Sequence, residues 1–560
     1  MGTDNGSVDL ALMEDVFREL EGGREALIPA LQRTQEIYGW VPREAMVQMA
    51  SRLSIAVGDV YETASFYTLL ETSPPTGEGV HVCRDAACLL AGGEAVWQAG
   101  REALGDRLKP ISCLGHCHAG PVALTGGSVI GPLKPESWQQ DKRDSAPAVP
   151  ILSPPEARRL LARIGRVAPD SLSAARAHGA YQALERALRE RTPGEVIEEV
   201  TASGLQGRGG AGFPTGRKWA FAAQAAGKPK YIICNADESE PGTFKDRALM
   251  EGDPHRVLEG IILAGYAVGA EHGIIYIRGE YRLAYERLEQ AIRQAREANL
   301  LGEHILGSDF HFDIELHSGS GAYICGEETA LIESLEGKPG RPRQRPPYPP
   351  TFGLWGKPTV VNNVETLANV PDIVLQGAEA FRDNETKLYC LTGHVARPGL
   401  IEAPLGLTLR RAIEEYGGGM AGGGTFHFAQ TGGAAGTLVG PEALDVPLTF
   451  TSLQTDGVAL GSGALLVVDE SVRPVDVLHA VMAFFARESC GHCYPCRYGT
   501  LRAAEVLSRA AAGRLLAEDE TQLHATAEAL AAASFCGLGQ AAAMPLRTGL
   551  ALMRQFSRLT

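Results

Sequence analysis

Residues 231–242 have the sequence YIICNADESEPG, an apolar run that leads directly into a loop with three carboxylates. The apolar part predicts a strand over Tyr231–Asn235, and a regular alternation of elements follows it. The next runs predict a helix over His255–Ala270, a strand over Gly273–Arg278, a helix over Tyr281–Asn299 and a strand over Phe312–His317. Such alternation is typical of an α/β layer built on a mainly parallel sheet.

The acidic loop after this first strand is a candidate binding site. Carboxylates and an amide at the carboxyl end of a strand suit hydrogen bonds to ribose hydroxyls or to the edge of a flavin ring. An acidic, solvated turn is the alternative interpretation. A second acidic pair, Glu327 and Glu328, opens a predicted helix after the run GSGAYICG at 319–326. Acidic residues in a first helical turn also stabilise the helix dipole without any further function.

A glycine-rich loop with the sequence GLQGRGGAGFPTGRKW spans residues 204–219. Residues 207–212 satisfy the pattern G-x-G-x-x-G, but a predicted helix over Gly194–Ala202 precedes them where a dinucleotide-binding motif has a strand. Because glycine has no side chain, the backbone N–H groups of this loop could still close around a phosphate. Arg208, Arg217 and Lys218 are available to neutralise the charge of that phosphate. A flexible surface turn is the alternative.

Length and composition limit the possible classes of protein. The 560 residues suggest about four domains, and 44% apolar with 21% charged residues is an ordinary globular balance. The net charge of −15 argues against a general nucleic-acid binder, which needs clustered basic residues. No apolar run is long enough to cross a membrane, and residues 1–6, MGTDNG, do not resemble a secretory signal or a myristoylation motif. We therefore expect a soluble, cytoplasmic protein.

Eight of the 11 cysteines fall into two groups with short internal spacings. The groups are Cys83, Cys88, Cys113 and Cys117, and Cys490, Cys493, Cys496 and Cys536. Such spacings bring several thiolates to one point, which favours iron–sulfur clusters. Structural zinc and disulfides remain alternatives, although a reducing cytoplasm disfavours disulfides. His116, His118 and His492 fit solvated loop residues, or hydrogen-bond donors around a cluster, better than they fit ligands. Cys234, Cys325 and Cys390 lie in apolar runs typical of core thiols.

The remaining patterns divide the chain into six segments. We predict a helical region (1–75), a thioredoxin-like strand–helix–strand module (76–131), a linker (132–165) with a helical pattern at Pro155–Ile164, a Rossmann-like α/β domain (166–385), a small β-grasp-like α+β domain (386–470) and a C-terminal helical bundle (471–560). The expected fold class is therefore multidomain α/β.

Together, the motifs resemble the flavin subunit of respiratory complex I and its relatives. The stretches that carry the resemblance are residues 204–219, NADESEPG at 235–242, GAYICGEETA at 321–330 and SCGHCYPCRYG at 489–499. Residues 1–130 resemble the neighbouring thioredoxin-like [2Fe-2S] subunit, here joined to the flavin subunit in one chain.

The resemblance implies a set of cofactor sites. FMN would be bound by Gly207, Arg208, Gly209, Gly210, Lys218, Asn235, Asp237, Glu238, Ser239, Tyr323, Gly326, Asn362, Asn363 and Thr366. NAD(H) would stack on the flavin, with Glu240 and Glu328 near the nicotinamide or ribose, Phe213 and Phe221 as aromatic contacts, and Arg345 and Tyr348 near the adenine end. Glu327 is a further expected cofactor-binding residue. The C-terminal cysteine group would hold a [4Fe-4S] cluster and the N-terminal group a [2Fe-2S] cluster.

The implied activity is electron transfer between iron–sulfur clusters and NAD+ through FMN, because FMN accepts both hydride and single electrons. Fusion of the two modules resembles soluble NAD-linked assemblies. The first interpretation is the beta (diaphorase) subunit of an NAD-dependent formate dehydrogenase, beside a large molybdenum- or tungsten-pterin alpha subunit with further clusters. The alternatives are the diaphorase subunit of an NAD-reducing hydrogenase, a fused complex I subunit, or a zinc-stapled, nucleotide-binding interaction protein.

Overall fold

A computed structural model describes residues 8–20, 22–75, 77–139 and 143–557. The N-terminal hexapeptide, the predicted boundary at residue 76 and residues 140–142 of the predicted linker lie outside this range. Within the described residues, no helix is both long and apolar enough to cross a membrane.

The N-terminal region consists of four helices followed by a small mixed sheet. The helices are α1 (Met13–Glu19), α2 (Leu27–Tyr38), α3 (Arg43–Leu53) and α4 (Val57–Phe66). The next elements are β1 (Val80–Cys83), α5 (Ala86–Leu90), α6 (Gly93–Leu104), β2 (Leu108–Ile111), β3 (Ala123–Thr125) and β4 (Ser128–Ile130). The strand order is β2-β1-β3-β4, with β1 and β2 parallel and the other pairs antiparallel.

The central domain is an α/β layer with a fully parallel four-stranded sheet. Its elements are α7 (Leu172–Ala177), α8 (Gln182–Glu190), α9 (Pro193–Ala202), α10 (Thr215–Gln224), β5 (Tyr231–Ala236), α11 (Lys245–Gly252), α12 (Pro254–Val268), β6 (His272–Ile277), α13 (Arg282–Glu297), β7 (Asp313–Ser318), α14 (Glu328–Leu335), β8 (Thr359–Asn363), α15 (Val364–Gln376) and α16 (Ala378–Asp383). The strand order is β7-β6-β5-β8. The predicted alternation is therefore confirmed, while β8 was not predicted.

A small α+β domain and a helical bundle complete the chain. The small domain contains β9 (Thr386–Gly393), β10 (Gly399–Pro404), α17 (Leu409–Arg411), β11 (Phe426–Thr431), β12 (Thr437–Val439), α18 (Ser452–Asp456) and β13 (Ala464–Asp469), in the strand order β10-β9-β13-β11-β12. The bundle contains α19 (Pro474–Glu488), α20 (Tyr494–Ala511), α21 (Asp519–Ala533) and α22 (Gly537–Ser557). The expected multidomain α/β class is confirmed.

The predicted linker is a structured segment that covers an edge of the small domain. The N–H of Leu152 donates to the carbonyl of Leu400 on edge strand β10, and the N–H of Leu400 donates to the carbonyl of Pro150, both at 2.8 Å. Gly399 allows this approach, since a Cβ there would lie 2.6 Å from the carbonyl oxygen of Pro150. The linker therefore extends the sheet by one short parallel bridge at Ile151.

The helix predicted over residues 155–164 is absent from the described structure; only a short 3₁₀ turn, Pro155–Ala157, and further turns occur there. The carboxylate of Glu402 on β10 accepts from the N–H groups of Arg159, Leu160 and Leu161 at 2.9–3.0 Å. The prediction was wrong because the carboxylate of Glu402, which is distant in sequence, accepts the hydrogen bonds of amides that would otherwise donate within a helix. A local sequence pattern cannot reveal such a distant partner.

His255 on α12 is expected to make the central domain sensitive to acid. Its Nδ1 contacts the hydroxyl of Tyr181 at 2.9 Å, and burial lowers the pKa of His255 to about 4. The unfolded chain binds the proton at its ordinary pKa of about 6.5, so this stabilisation is present above that pH and is lost as the pH falls towards 4. We expect the unfolding free energy to fall by up to about 1.4 kcal/mol per pH unit in this window through this one group.

The measurement is the pH dependence of thermal unfolding of wild-type protein and of His255→Asn between pH 4 and 7. His255→Asn should flatten the curve, whereas the matched variant of an exposed histidine, His178→Asn, should not. Parallel curves for the wild type and His255→Asn would contradict this prediction.

Candidate functional site

A cleft of about 740 Å³ lies at the carboxyl ends of strands β5 and β8. The chain proceeds from β5 to β6 and β7 on one side and then returns to form β8 on the other. The loops that follow β5 and β8 therefore lead away in opposite directions and leave a crevice between them. Parallel α/β sheets bind ligands in such a crevice. Asn235 at the end of β5 is in register with Asn363 at the end of β8, which brings the two amides to the floor of the cleft.

Most of the residues predicted to bind FMN or NAD(H) line this cleft. They are Gly209, Gly210, Asn235, Asp237, Glu238, Ser239, Glu240, Tyr323, Gly326, Glu327 and Asn363. The glycine-rich loop, the acidic loop after β5 and the loop before α14 thus converge on one space, although other helices and strands separate them in the sequence.

Four further predicted residues, Gly207, Arg208, Asn362 and Thr366, lie behind the cleft and support it. The N–H of Arg208 donates to the hydroxyl of Thr366 at 2.8 Å, and the fully buried Arg208 guanidinium pairs with Glu385. The indole N–H of Trp219 donates to Asn362 Oδ1 at 2.8 Å, and the N–H of Gly207 donates to the carbonyl of Phe213 at 2.9 Å. These contacts fix the shape of the glycine-rich loop.

The two acidic residues after Ala236 have different surroundings. Burial raises the pKa of Asp237 to about 7, and its Oδ2 has no hydrogen-bond partner in the described protein. The carboxylate of Glu238 accepts from the N–H groups of Asp246 and Arg247 at 2.8 and 2.9 Å, so it caps the first turn of α11. Asp237 therefore keeps an oxygen available for a ligand, whereas the Glu238 carboxylate is occupied.

Glu240 connects the α/β domain with the small domain. It accepts from the Tyr323 hydroxyl at 2.6 Å and from the N–H of Ala435 at 2.9 Å. Burial raises the pKa of this carboxyl above its usual range. One wall of the cleft is thus held to the small domain by a buried acidic side chain.

Glu328 belongs to a neighbouring ion-pair group and is not among the described residues that line the cleft. Its carboxylate pairs with Lys218 at 3.1 Å and with Arg345 at 3.3 Å, and Arg345 also pairs with Glu327 at 3.3 Å. Since Glu327 does line the cleft, this group adjoins the cleft.

Three aromatic residues predicted to contact NAD(H) are exposed. The exposed fractions are 43% for Phe213, 44% for Phe221 and 56% for Tyr348. The Phe213 ring lies 6.0 Å from Lys218 Nζ, and the Phe221 ring lies 5.5 Å from the Arg217 guanidinium carbon. Large exposed rings beside cations provide surfaces on which a planar ligand can stack.

The cleft also contains residues that the sequence did not indicate. They come from α11 (Lys245, Asp246), from the small domain (Gly432, Ala435, Gly436, Phe450, Leu453, Gly461, Ser462) and from α22 (Gly537, Leu538, Ala541). The paired glycines 432–433 could have indicated that the small domain contributes to the cleft. They are far along the chain from the other motifs, so the sequence did not link them to the same site.

The N-terminal cysteine group lies at the carboxyl ends of the parallel strands β1 and β2. Cys83 ends β1, Cys88 lies in α5, and Cys113 follows β2 by two residues. All four thiols of the group are buried, and the Sγ atoms of Cys113 and Cys117 are 3.2 Å apart. The parallel pairing of β1 and β2 therefore gathers two sequence-distant cysteine pairs, a donor set that suits an iron–sulfur cluster.

The C-terminal cysteine group surrounds a narrow void of about 10 Å³. Its other lining residues are Ile324, Pro342, Ser489, His492, Phe535 and Leu538. Ile324 and Leu538 also line the large cleft, so these two apolar side chains form a shared wall between the two spaces. Four thiols around one void, with no acidic side chain in its lining, suit an iron–sulfur cube.

All eleven cysteines lie within the described residues and are free thiols. Cys234, Cys325 and Cys390 are buried in the core as expected. No group of three or more His, Cys, Asp or Glu in the described ranges is arranged around a single metal ion.

Four family models match the chain. The Nuo51 FMN-binding domain matches residues 200–372, the thioredoxin-like [2Fe-2S] ferredoxin matches 13–141, the NADH-ubiquinone oxidoreductase-F iron–sulfur binding region matches 476–558, and the SLBB domain matches 388–434. The second of these models treats the predicted helical region and the thioredoxin-like module as one unit.

Individual relatives cover most of the chain. The F 2 subunit of NADH-quinone oxidoreductase from Rhizobium meliloti (strain 1021) is 49% identical over 385 residues, which are 68% of this chain and 91% of the relative. NADP-reducing hydrogenase subunit HndC of Solidesulfovibrio fructosivorans is 46% identical over 68% of this chain and 79% of its own length. A crystal structure of an NAD+-reducing [NiFe]-hydrogenase in the H2-reduced state is similar with a TM-score of 0.83 and 34% identity, and the match covers 96% of this chain and 93% of that one.

The fold, the cleft and these matches define an NAD-linked flavin and iron–sulfur oxidoreductase module. The chain belongs to the family of the NADH-quinone oxidoreductase F subunits, with a thioredoxin-like [2Fe-2S] module fused on its N-terminal side. Its cofactors are FMN, NAD(H), one [2Fe-2S] cluster and one [4Fe-4S] cluster, and its relatives are subunits of multisubunit complexes. The alternative of a zinc-stapled interaction protein was wrong.

Proposed function

We propose that this chain is the diaphorase subunit of a cytoplasmic assembly that transfers electrons between a metal-containing partner and NAD+. The observation that carries this proposal is that Ile324 and Leu538 line both the cleft and the four-cysteine void, so the two spaces adjoin. Electron transfer weakens steeply with distance, so adjoining sites with an apolar boundary favour rapid transfer.

We assign the cleft to FMN and the adjoining ion-pair group to NAD(H). When bound, FMN supplies the exchange between a two-electron hydride and single electrons. The glycine-rich loop would hold the phosphate through backbone N–H groups, and Asn235, Asp237 and Asn363 would bind the polar edge of the ring. Glu240 and Glu328 would orient NAD(H), and their carboxylates would disfavour a 2′-phosphate on the ribose. These residues position the cofactors, and none of them needs to act as a general base.

The two cysteine groups would provide the cluster ligands of this electron route. Cys83, Cys88, Cys113 and Cys117 would hold the [2Fe-2S] cluster, and Cys490, Cys493, Cys496 and Cys536 the [4Fe-4S] cluster. The first group is buried, whereas Cys490 and Cys493 of the second group are half-buried and lie nearer the surface. The [4Fe-4S] site is therefore the expected exit towards a partner.

For the partner, the fusion of the two modules supports the beta subunit of an NAD-dependent formate dehydrogenase, with a molybdenum- or tungsten-pterin alpha subunit that oxidises formate to CO2. A second candidate is the diaphorase subunit of an NAD-reducing hydrogenase. The similarity to an NAD+-reducing [NiFe]-hydrogenase over 96% of this chain supports that candidate.

The test is to purify the native complex through a tag on this chain and to offer formate or H2 as the electron donor for NAD+ reduction. We expect formate to support NADH formation and NADH to bleach the flavin absorbance of the isolated chain. If only H2 supports NADH formation, the assignment to a formate dehydrogenase is wrong and the assignment to a hydrogenase takes its place. An isolated chain that contains FMN and iron but whose flavin does not respond to NADH would overturn the diaphorase assignment itself.

A further inference from the structure

The last two residues of helix α19, Arg487 and Glu488, lie where three cofactor-binding segments meet. Ser489 and Cys490 follow them directly, so this helix end leads into the C-terminal cysteine group. The side chains of Arg487 and Glu488 contact other domains.

Glu488 holds two of these segments at once. Its Oε1 accepts from the hydroxyl of Ser112 at 2.5 Å, and Ser112 directly precedes Cys113 of the N-terminal cysteine group. Its Oε2 accepts from the N–H of Tyr323 at 2.9 Å. Tyr323 lines the cleft, and the next residue, Ile324, belongs to the shared wall.

Arg487 adds a second contact to the thioredoxin-like module. It forms an ion pair with Asp85 at 2.5 Å, and Asp85 is a buried residue between Cys83 and Cys88. Two consecutive residues of one helix are therefore bound to both cysteine-bearing loops of the thioredoxin-like module.

The carboxylate of Glu488 accepts one hydrogen bond from each neighbouring domain, and it is the geometry of these two contacts that joins the domains. The Tyr323 ring packs edge-on against the ring of Phe484, which also lies on α19, with the ring centroids 4.9 Å apart. Helix α19 therefore contacts both the backbone N–H and the side chain of Tyr323. Other anchors of the thioredoxin-like module, such as the hydrogen bond from Arg278 to the carbonyl of Cys113, come from the α/β domain and do not reach α19.

We propose that Glu488 is a positioning residue that fixes the relative geometry of the cleft wall and the two cysteine groups, and thereby sets the rate of electron transfer among the three cofactor sites. The inference rests on the proposed diaphorase function. It assigns to Glu488 no contact with substrate and no proton transfer.

The chain offers a graded set of variants. Glu488→Ala removes both hydrogen bonds, and Ser112→Ala removes only one of them. Glu488→Gln preserves both, because its carbonyl oxygen can accept from the Tyr323 N–H while its amide donates to the Ser112 hydroxyl. Glu528→Ala is the matched control, since Glu528 lies in the same bundle with its side chain 74% exposed.

The experiment is stopped-flow reduction by NADH of the full chain, loaded with FMN and both clusters, followed separately at flavin and cluster wavelengths. We expect Glu488→Ala to retain flavin reduction within about twofold while transfer from flavin to the clusters slows by about tenfold or more, because small displacements lower such rates strongly. Ser112→Ala should show an intermediate loss, and Glu488→Gln and Glu528→Ala should match the wild type.

Wild-type cluster reduction rates in Glu488→Ala with full iron and FMN content would overturn the proposal. If Glu488→Ala fails to fold or to retain its cofactors, Ser112→Ala decides the matter, and a wild-type rate in that variant would equally overturn it. A wild-type chain whose flavin does not respond to NADH would instead refute the diaphorase function, so the two failures are distinguishable.

Discussion

Replacing Cys496 with alanine is expected to remove the [4Fe-4S] cluster while NADH still reduces the flavin. Cys496 is buried, and it lines the narrow void together with the other three members of its group. A cluster held by three thiolates is labile, so we expect transfer to the partner to fall by more than about hundredfold. The cleft should keep its shape because Ile324 and Leu538, and not Cys496, form its wall on that side.

Iron content, the EPR spectrum of the reduced chain and stopped-flow flavin reduction measure this outcome. The control is Cys234→Ala, which removes a buried strand thiol outside both groups and should retain all the iron. A folded Cys496→Ala protein that has lost NADH-dependent flavin reduction would show that the two sites are not separable.

Replacing Glu365 with alanine is expected to destabilise the protein strongly. Its fully buried carboxylate pairs with Lys387 at 2.7 Å and with Lys245 at 3.0 Å, and it also accepts from the N–H of Leu388 at 3.0 Å. Burial alone would raise the pKa of Glu365, but the two ammonium groups outweigh it and hold the pKa at about 2. Removing this carboxylate leaves two buried lysines without their shared partner, which costs about 3–5 kcal/mol.

Because Lys387 and Leu388 belong to β9 of the small domain while Lys245 lines the cleft, the loss should also weaken FMN binding. The measurement is the temperature at which FMN fluorescence appears on heating. Glu286→Ala, which removes an exposed ion pair with Arg282, should leave this temperature unchanged. An unchanged release temperature in Glu365→Ala would contradict the prediction.

The parts of the fold that local patterns determine were predictable from the sequence. Strand β5 and helices α12 and α13 have clear apolar periodicity, and short cysteine spacings identified both thiol groups. Strand β8 was not predicted, because its run TVVNN at 359–363 is short and follows a proline-rich stretch. The turns that replace the predicted helix at 155–164 depend on Glu402, more than 230 residues away in sequence.

The candidate site was predictable only in part for the same reason. Polar residues after β5 indicated a ligand site, since the carboxyl end of a parallel strand is a known place for one. The contribution of Leu538 and the contact between Glu240 and Ala435 depend on how the domains pack. Contacts of this kind join segments about 200 or more residues apart, and no local periodicity encodes them.

The pairing of the linker with β10 has a consequence for how this protein can be divided. An uncovered edge strand presents unpaired N–H and C=O groups to other molecules and promotes aggregation. In this chain, Pro150 and Leu152 form hydrogen bonds with the backbone N–H and C=O of Leu400. The connecting segment therefore covers the exposed edge of the small domain. Residues 144–146 pair in the same way with edge strand β4 of the thioredoxin-like module. Separate expression of the two modules should therefore preserve solubility only if the cut is made between residues 146 and 150, which leaves each edge strand covered.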